Sequence, residues 1–147
     1  MKRILAILVE DRPGVLTRVS GLFSRRGYNI QNIAVGPTTE PEISRMTVSV
    51  EADQNTVEQI VKQLNKLVNV LKVSDLTDET SVERELMLIK VKAEPGRRSE
   101  IQQMAATFRA KIVDISPDSM IIEVTGEDRK LQAFLLMMQE FGIKEIV

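Results

Sequence analysis

One pattern of apolar runs and chain breakers occurs twice along this sequence, and it limits the fold more than any other feature. Residues 2–10 are rich in Ile, Leu and Val and read as a strand. Asp11-Arg12-Pro13-Gly14 breaks it. Val15, Val19, Leu22 and Phe23 then recur at helical spacing, with Leu16 beside them. Arg25 and Arg26 fall in the last turn, where cations suit the helix dipole, and Gly27 supplies the stop. Residues 29–35 are expected as a second strand and 36–42 as a loop. In the third strand Met46, Val48 and Val50 face one side, and Arg45, Thr47 and Ser49 the other. Val57, Ile60, Val61 and Leu64 mark a second helix, and residues 69–74 a fourth strand. The order is βαββαβ.

The same order returns after residue 84. Residues 86–91 read as a strand, and Glu94-Pro95-Gly96 breaks it where Arg12-Pro13-Gly14 broke the first. Ile101, Met104, Ala105 and Phe108 share a helix face. Residues 111–115 and 120–124 are strands about the turn Ser116-Pro117-Asp118. Leu131, Phe134, Leu135 and Met138 mark a helix, and residues 144–147 begin a last strand. Met104, Met137 and Met138 are expected in the core.

Two split-βαβ units of this kind predict an α+β protein of two tandem ferredoxin-like sandwiches, each a four-stranded antiparallel sheet under two helices. The expected division is 1–75 for the first domain, 76–83 for a polar linker and 84–147 for the second. A core this small supplies about 3–5 kcal/mol. Each sheet also leaves one face and its edge strands to be covered. Pairing of units or of chains is therefore expected on physical grounds.

Composition removes several functions. The 147 residues include no cysteine, so disulfides, zinc-thiolate sites and cysteine nucleophiles are excluded. They include no histidine, which removes the commonest general base and transition-metal ligand. Both absences weigh against an enzyme. Twenty basic residues balance 21 acidic ones, so the electrostatic footprint of a nucleic-acid binder is missing. RNA-binding modules share the βαββαβ order but need exposed aromatics on the central strands, which are lacking here. The apolar N-terminal run is too short for a signal peptide and is followed by Glu10, Asp11 and Arg12, so it reads as a buried strand. No segment approaches a membrane span. A cytoplasmic protein is expected.

The loop Asp11-Arg12-Pro13-Gly14-Val15-Leu16 is the candidate binding element. Free N–H groups at the helix start sit at the positive end of the dipole and suit a carboxylate. Gly14 lets a ligand approach the backbone, and Pro13 presets φ. Asp11 is placed to meet an ammonium group, and Leu16 and Ile30 to take an aliphatic side chain. These features match a free amino acid, although ordinary helix initiation uses the same residues. Arg25-Arg26 reads as a dock for an acidic partner or as a solvated helix end. Asn29 reads as a contact across a subunit boundary or as a strand cap. Glu83, Glu85 and Glu94 form a weak carboxylate set for a metal. No Walker or dinucleotide phosphate loop is present.

Leu8-Val9-Glu10-Asp11-Arg12-Pro13-Gly14-Val15-Leu16 is similar to the opening of an ACT domain, an amino-acid-sensing module. The stretch Arg18-Val19-Ser20-Gly21-Leu22-Phe23-Ser24-Arg25-Arg26-Gly27-Tyr28-Asn29-Ile30 resembles the regulatory subunits of acetolactate synthase (acetohydroxyacid synthase). So do Ser44-Arg45-Met46-Thr47, residues 59–67 and residues 82–90. The resemblance spans nearly the whole chain. It implies a non-catalytic subunit that activates a separate catalytic (large) subunit and confers feedback inhibition, usually by valine. That partner would carry thiamine diphosphate, magnesium and FAD, with no cofactor in this chain. The resemblance also implies a homodimer, or a higher homo-oligomer, with the effector between two ACT domains. One chain would supply Asp11, Gly14, Val15 and Leu16, and its neighbour Asn29 and Ile30. The family often has Asn where this chain has Asp11, and usually runs a little beyond residue 147, so a shortened last strand is expected. The alternative is a free-standing amino-acid-sensing ACT protein that serves another enzyme.

Overall fold

The computed structural model describes all 147 residues, Met1–Val147. They form two compact units, Met1–Ser81 and Val82–Val147. The first contains β1 (Lys2–Glu10), α1 (Val15–Arg25), β2 (Ile30–Pro37), β3 (Ile43–Glu51), α2 (Gln54–Leu64) and β4 (Val70–Asp75). The second contains β5 (Glu85–Lys92), α3 (Arg98–Thr107), β6 (Lys111–Ile115), β7 (Ser119–Gly126), α4 (Asp128–Met138) and β8 (Ile143–Ile146). Each unit has one four-stranded sheet, in the orders β2-β3-β1-β4 and β6-β7-β5-β8. Both sheets are antiparallel throughout, the ferredoxin-like arrangement that the duplicated pattern predicts.

β1 is central because it can satisfy its backbone on both sides and bury one whole face. It pairs with β3 and with β4. Leu5, Ile7 and Val9 point to the helices and are sealed in the core with Val19 and Phe23 of α1 and Ile60 and Leu64 of α2. α2 is capped by Asp53, whose carboxylate accepts the Thr56 N–H at 2.7 Å. The second core repeats the plan with Ile89, Val91, Ile101, Met120, Ile122, Phe134 and Met138. With few aromatics available, Phe108 and Phe134 are brought together, ring centroids 5.1 Å apart.

Several expectations change in detail. Met137 is not a core residue: it is 39% exposed, whereas Met138 is fully buried. Adjacent helical positions are about 100° apart, so the two cannot face the same core. β2 continues through Gly36 to Pro37, because β3 starts early enough to pair with that stretch. The break after β5 is not a copy of the first. Pro95–Arg97 makes a 3₁₀ turn, and α3 begins only at Arg98. The start of the polar connector is tied to the first unit. The Leu76 N–H donates to the Ile4 carbonyl at 2.9 Å, and the Ile4 N–H to Thr77 Oγ1 at 3.1 Å. Asp78 pairs at 3.7 Å with the buried Arg3 guanidinium. Glu83, Glu85 and Glu94 do not converge, as no group of three carboxylates is close enough to hold a metal ion.

Phe134→Ala tests the second core. The side chain is fully buried, so its loss should destabilise that unit by about 3–5 kcal/mol. That is comparable to the whole stability of so small a unit. Denaturant unfolding should show the second unit's transition shifted to near zero denaturant.

Candidate functional site

The candidate loop hangs from the end of β1, and that end is held from both sides. The Glu10 N–H donates to the Asn69 carbonyl at 2.9 Å, and the Asp11 N–H to the Glu42 carbonyl at 2.7 Å. The chain then turns sharply, with the Arg12 N–H donating to the Glu10 carbonyl at 3.0 Å. Gly14 is the N-cap of α1 at φ 85°, ψ −9°, a left-handed conformation that side-chain-bearing residues rarely take. No side chain caps this helix.

The consequence is a bare helix start. The Val15 N–H reaches the Arg12 carbonyl at 3.3 Å, and the Arg18 N–H bonds the Gly14 carbonyl at 3.0 Å. The N–H groups of Leu16 and Thr17, between them, donate to nothing in the chain. The first turn has no acidic residue to offset the dipole. Unsatisfied N–H groups and positive potential together favour an anion, and a carboxylate fits both. A Cβ built on Gly14 would meet no atom within 4 Å, so space is open there.

The six residues expected at the site fall into two groups. Asp11, Gly14, Val15 and Leu16 are together at the loop. Asp11 is exposed and Leu16 is 48% exposed, whereas the Val15 side chain is buried and offers only its backbone. Asn29 and Ile30 are elsewhere. Ile30 pairs with Val50, which pairs with Arg3 near the start of β1, while the loop follows the end of β1. About six residues of strand, or about 20 Å, separate the two groups within one chain. Asn29 is exposed, and Ile30 packs at the margin of the core.

Sequence reasoning missed the exposure of the strand between them. β2 is an edge strand, and nearly all of its residues are exposed. Ile33 and Val35 are 39% and 48% exposed although they pair with the buried Val48 and Met46. The apolar side of this edge, at Ile33 and Val35, lacks a cover within the unit.

The second unit differs in local chemistry, although Gly96 is also open and α3 is also uncapped by a side chain. At its corresponding helix start Arg97 lies over the Phe141 ring, 4.4 Å from the centroid, and pairs with Glu140 at 2.7 Å and Glu100 at 3.3 Å. Glu94 pairs with Lys92 at 3.0 Å, and that ammonium holds the Glu94 carboxyl below the ordinary carboxylate range.

Comparison with known proteins covers both units. Residues 5–72 match a family described as an ACT domain like that of the AHAS small subunit, and residues 84–147 match the small subunit of acetolactate synthase. A probable acetolactate synthase small subunit of Archaeoglobus fulgidus is 56% identical over 146 residues, 99% of this chain and 91% of that one. The acetolactate synthase small subunit of Mycobacterium bovis is 53% identical over 142 residues, 97% of this chain and 84% of that one. The crystal structure of the Thermotoga maritima acetolactate synthase small subunit superposes with a TM-score of 0.90 at 41% identity. It covers 100% of this chain and 92% of its own.

Gly14→Ala isolates the backbone constraint from any clash, because nothing lies near the new methyl group. Thermal unfolding should report a loss of about 1–2 kcal/mol, the cost of left-handed backbone for an L-residue. A neutral result would mean that the loop relaxes to another conformation.

Proposed function

From the premise that the chain belongs to the acetolactate synthase small-subunit family, we propose that it activates a separate catalytic subunit and makes it sensitive to valine or a related branched-chain amino acid. The catalytic subunit carries thiamine diphosphate, magnesium and FAD, and joins pyruvate to a second 2-oxo acid. This chain is the regulatory, non-catalytic partner. The observation that carries the effector reading is the uncapped start of α1 behind a left-handed glycine.

The two-part distribution of the expected site residues supports a homodimer. Two copies of β2 paired antiparallel about Ile33 and Ala34 would set Ile30 of one chain opposite Pro37 of the other. Pro37 pairs with Ser44, which pairs with Val9, next to the loop. The neighbour's Asn29 and Ile30 would then reach the loop that this chain's own copies cannot. The same pairing would satisfy the edge backbone and cover Ile33 and Val35. In that seam the bare amides take the effector carboxylate, Asp11 its ammonium, and Leu16 and the neighbour's Ile30 its aliphatic side chain.

Regulation requires that the effector bind two arrangements of the complex unequally. A coupling of about 1–3 kcal/mol is typical, and linkage makes it reciprocal: catalytic subunit that favours the uninhibited arrangement weakens valine binding.

Mixing the chain with an acetolactate synthase catalytic subunit should raise acetolactate formation, and added valine should lower it. Gly14→Asp fills the open approach and sets an anion against the effector carboxylate, so the inhibition constant should rise at least about tenfold. Unchanged valine sensitivity in that variant would overturn the site. Valine binding by the chain without any effect on the catalytic subunit would instead point to a sensor that serves another enzyme.

A further inference from the structure

The geometry points to Asn69 as a positioning residue for the effector loop, holding the Arg18 cation beside the bare helix start. This rests on the effector reading above. Asn69 lies in the turn between α2 and β4, far from the loop in sequence. Its backbone carbonyl accepts the Glu10 N–H at 2.9 Å. Its side-chain Nδ2 donates to Glu10 Oε2 at 3.3 Å, and its Oδ1 accepts from Arg18 Nη1 at 2.6 Å. Glu10 also holds Arg12 Nε at 3.0 Å. Glu10 and Arg18 stand four positions before and after Gly14, so one amide side chain ties the end of β1 to the first turn of α1.

The tether matters because of charge. A helical side chain leans toward the N-terminus, so Arg18 projects back over the first turn. A guanidinium there opposes the dipole, and an exposed arginine would otherwise drift into solvent. Asn69 Oδ1 keeps it in place through a short, charge-assisted bond. Positive charge is thereby added where two N–H groups are already unsatisfied, and both features select a carboxylate. The Arg18 contact is the stronger of the two made by the side chain, since the Glu10 contact is long.

The test is calorimetric titration of valine into the full chain, with thermal midpoints recorded for every variant. Asn69→Ala removes both side-chain contacts and should raise the valine Kd about tenfold, the loss expected for a hydrogen bond to a charged group. Asn69→Gln keeps a neutral amide oxygen for Arg18, sets no anion against Glu10 or the effector, and should stay within about threefold of the parent. Arg18→Ala should match Asn69→Ala, and the double variant should be no worse than either, because the two act as one unit. A purely structural turn residue would show equal losses in both Asn69 variants, tracking the thermal midpoint, and that outcome would overturn the proposal. So would Asn69→Ala with the parent's affinity. If the parent chain takes up none of valine, leucine or isoleucine, the effector reading itself has failed, which is a distinct result.

Discussion

Everything at the candidate site depends on β1 being hydrogen-bonded along both edges. A strand paired with β3 on one side and β4 on the other cannot shift or twist away, so its last residue is a fixed point. Leu5, Ile7 and Val9 lock its face to the helices. The loop therefore starts from a rigid anchor, and the Glu42 and Asn69 carbonyls extend that anchoring to Glu10 and Asp11. Only after Asp11 is the backbone free to turn, and Gly14 takes the conformation that leaves the helix amides open. A site on a loop is precise only when its supports are rigid. Here the supports are the two neighbours of a central strand.

The duplication separates topology from local chemistry, because the two copies share the first and differ in the second. In the first unit the helix is preceded by a left-handed glycine with no capping side chain. In the second, Pro95–Arg97 makes a 3₁₀ turn, and Arg97 is pinned by Phe141, Glu100 and Glu140. Fold alone does not decide function. Neither helix has a capping side chain, but α3 carries Glu100 in its first turn and starts from a 3₁₀ turn, whereas α1 starts directly from a left-handed glycine with no acidic residue to offset its dipole.

Most of the fold was legible because it follows from apolar spacing. Alternation at Met46, Val48 and Val50 and helical recurrence at Val57, Ile60 and Leu64 are local signals, and each of these residues is buried. The core place given to Met137 failed because side-chain type cannot decide between neighbouring positions at the margin of a helix's apolar stripe. The 3₁₀ turn before α3 was not legible, since Pro-Gly after a strand allows several turns. At the site, the loop residues could be read from their chemistry. The exposure of β2 could not, because Ile33 and Val35 look like core in any window of sequence. Asn69 carried no signal at all: its partners Glu10 and Arg18 are distant in sequence, and only the packing of the α2–β4 turn against β1 brings them together.

An edge strand with exposed Ile33 and Val35 is a liability unless something covers it, since unpaired backbone beside apolar side chains invites non-specific pairing. Soluble proteins usually blunt such edges with charge or proline. β2 has only Pro37 at its end and no charged residue along its length. That composition suits a strand meant to be paired. The proposed two-fold pairing would also give the uncapped start of α1 a use. An N-cap side chain would satisfy the amides within one chain and remove any reason for a ligand to enter the seam. In the proposed pairing, leaving them open would make the seam more stable when a carboxylate is present than when it is absent. In the proposed role, that difference is the free energy by which an amino acid biases one arrangement of the complex over another.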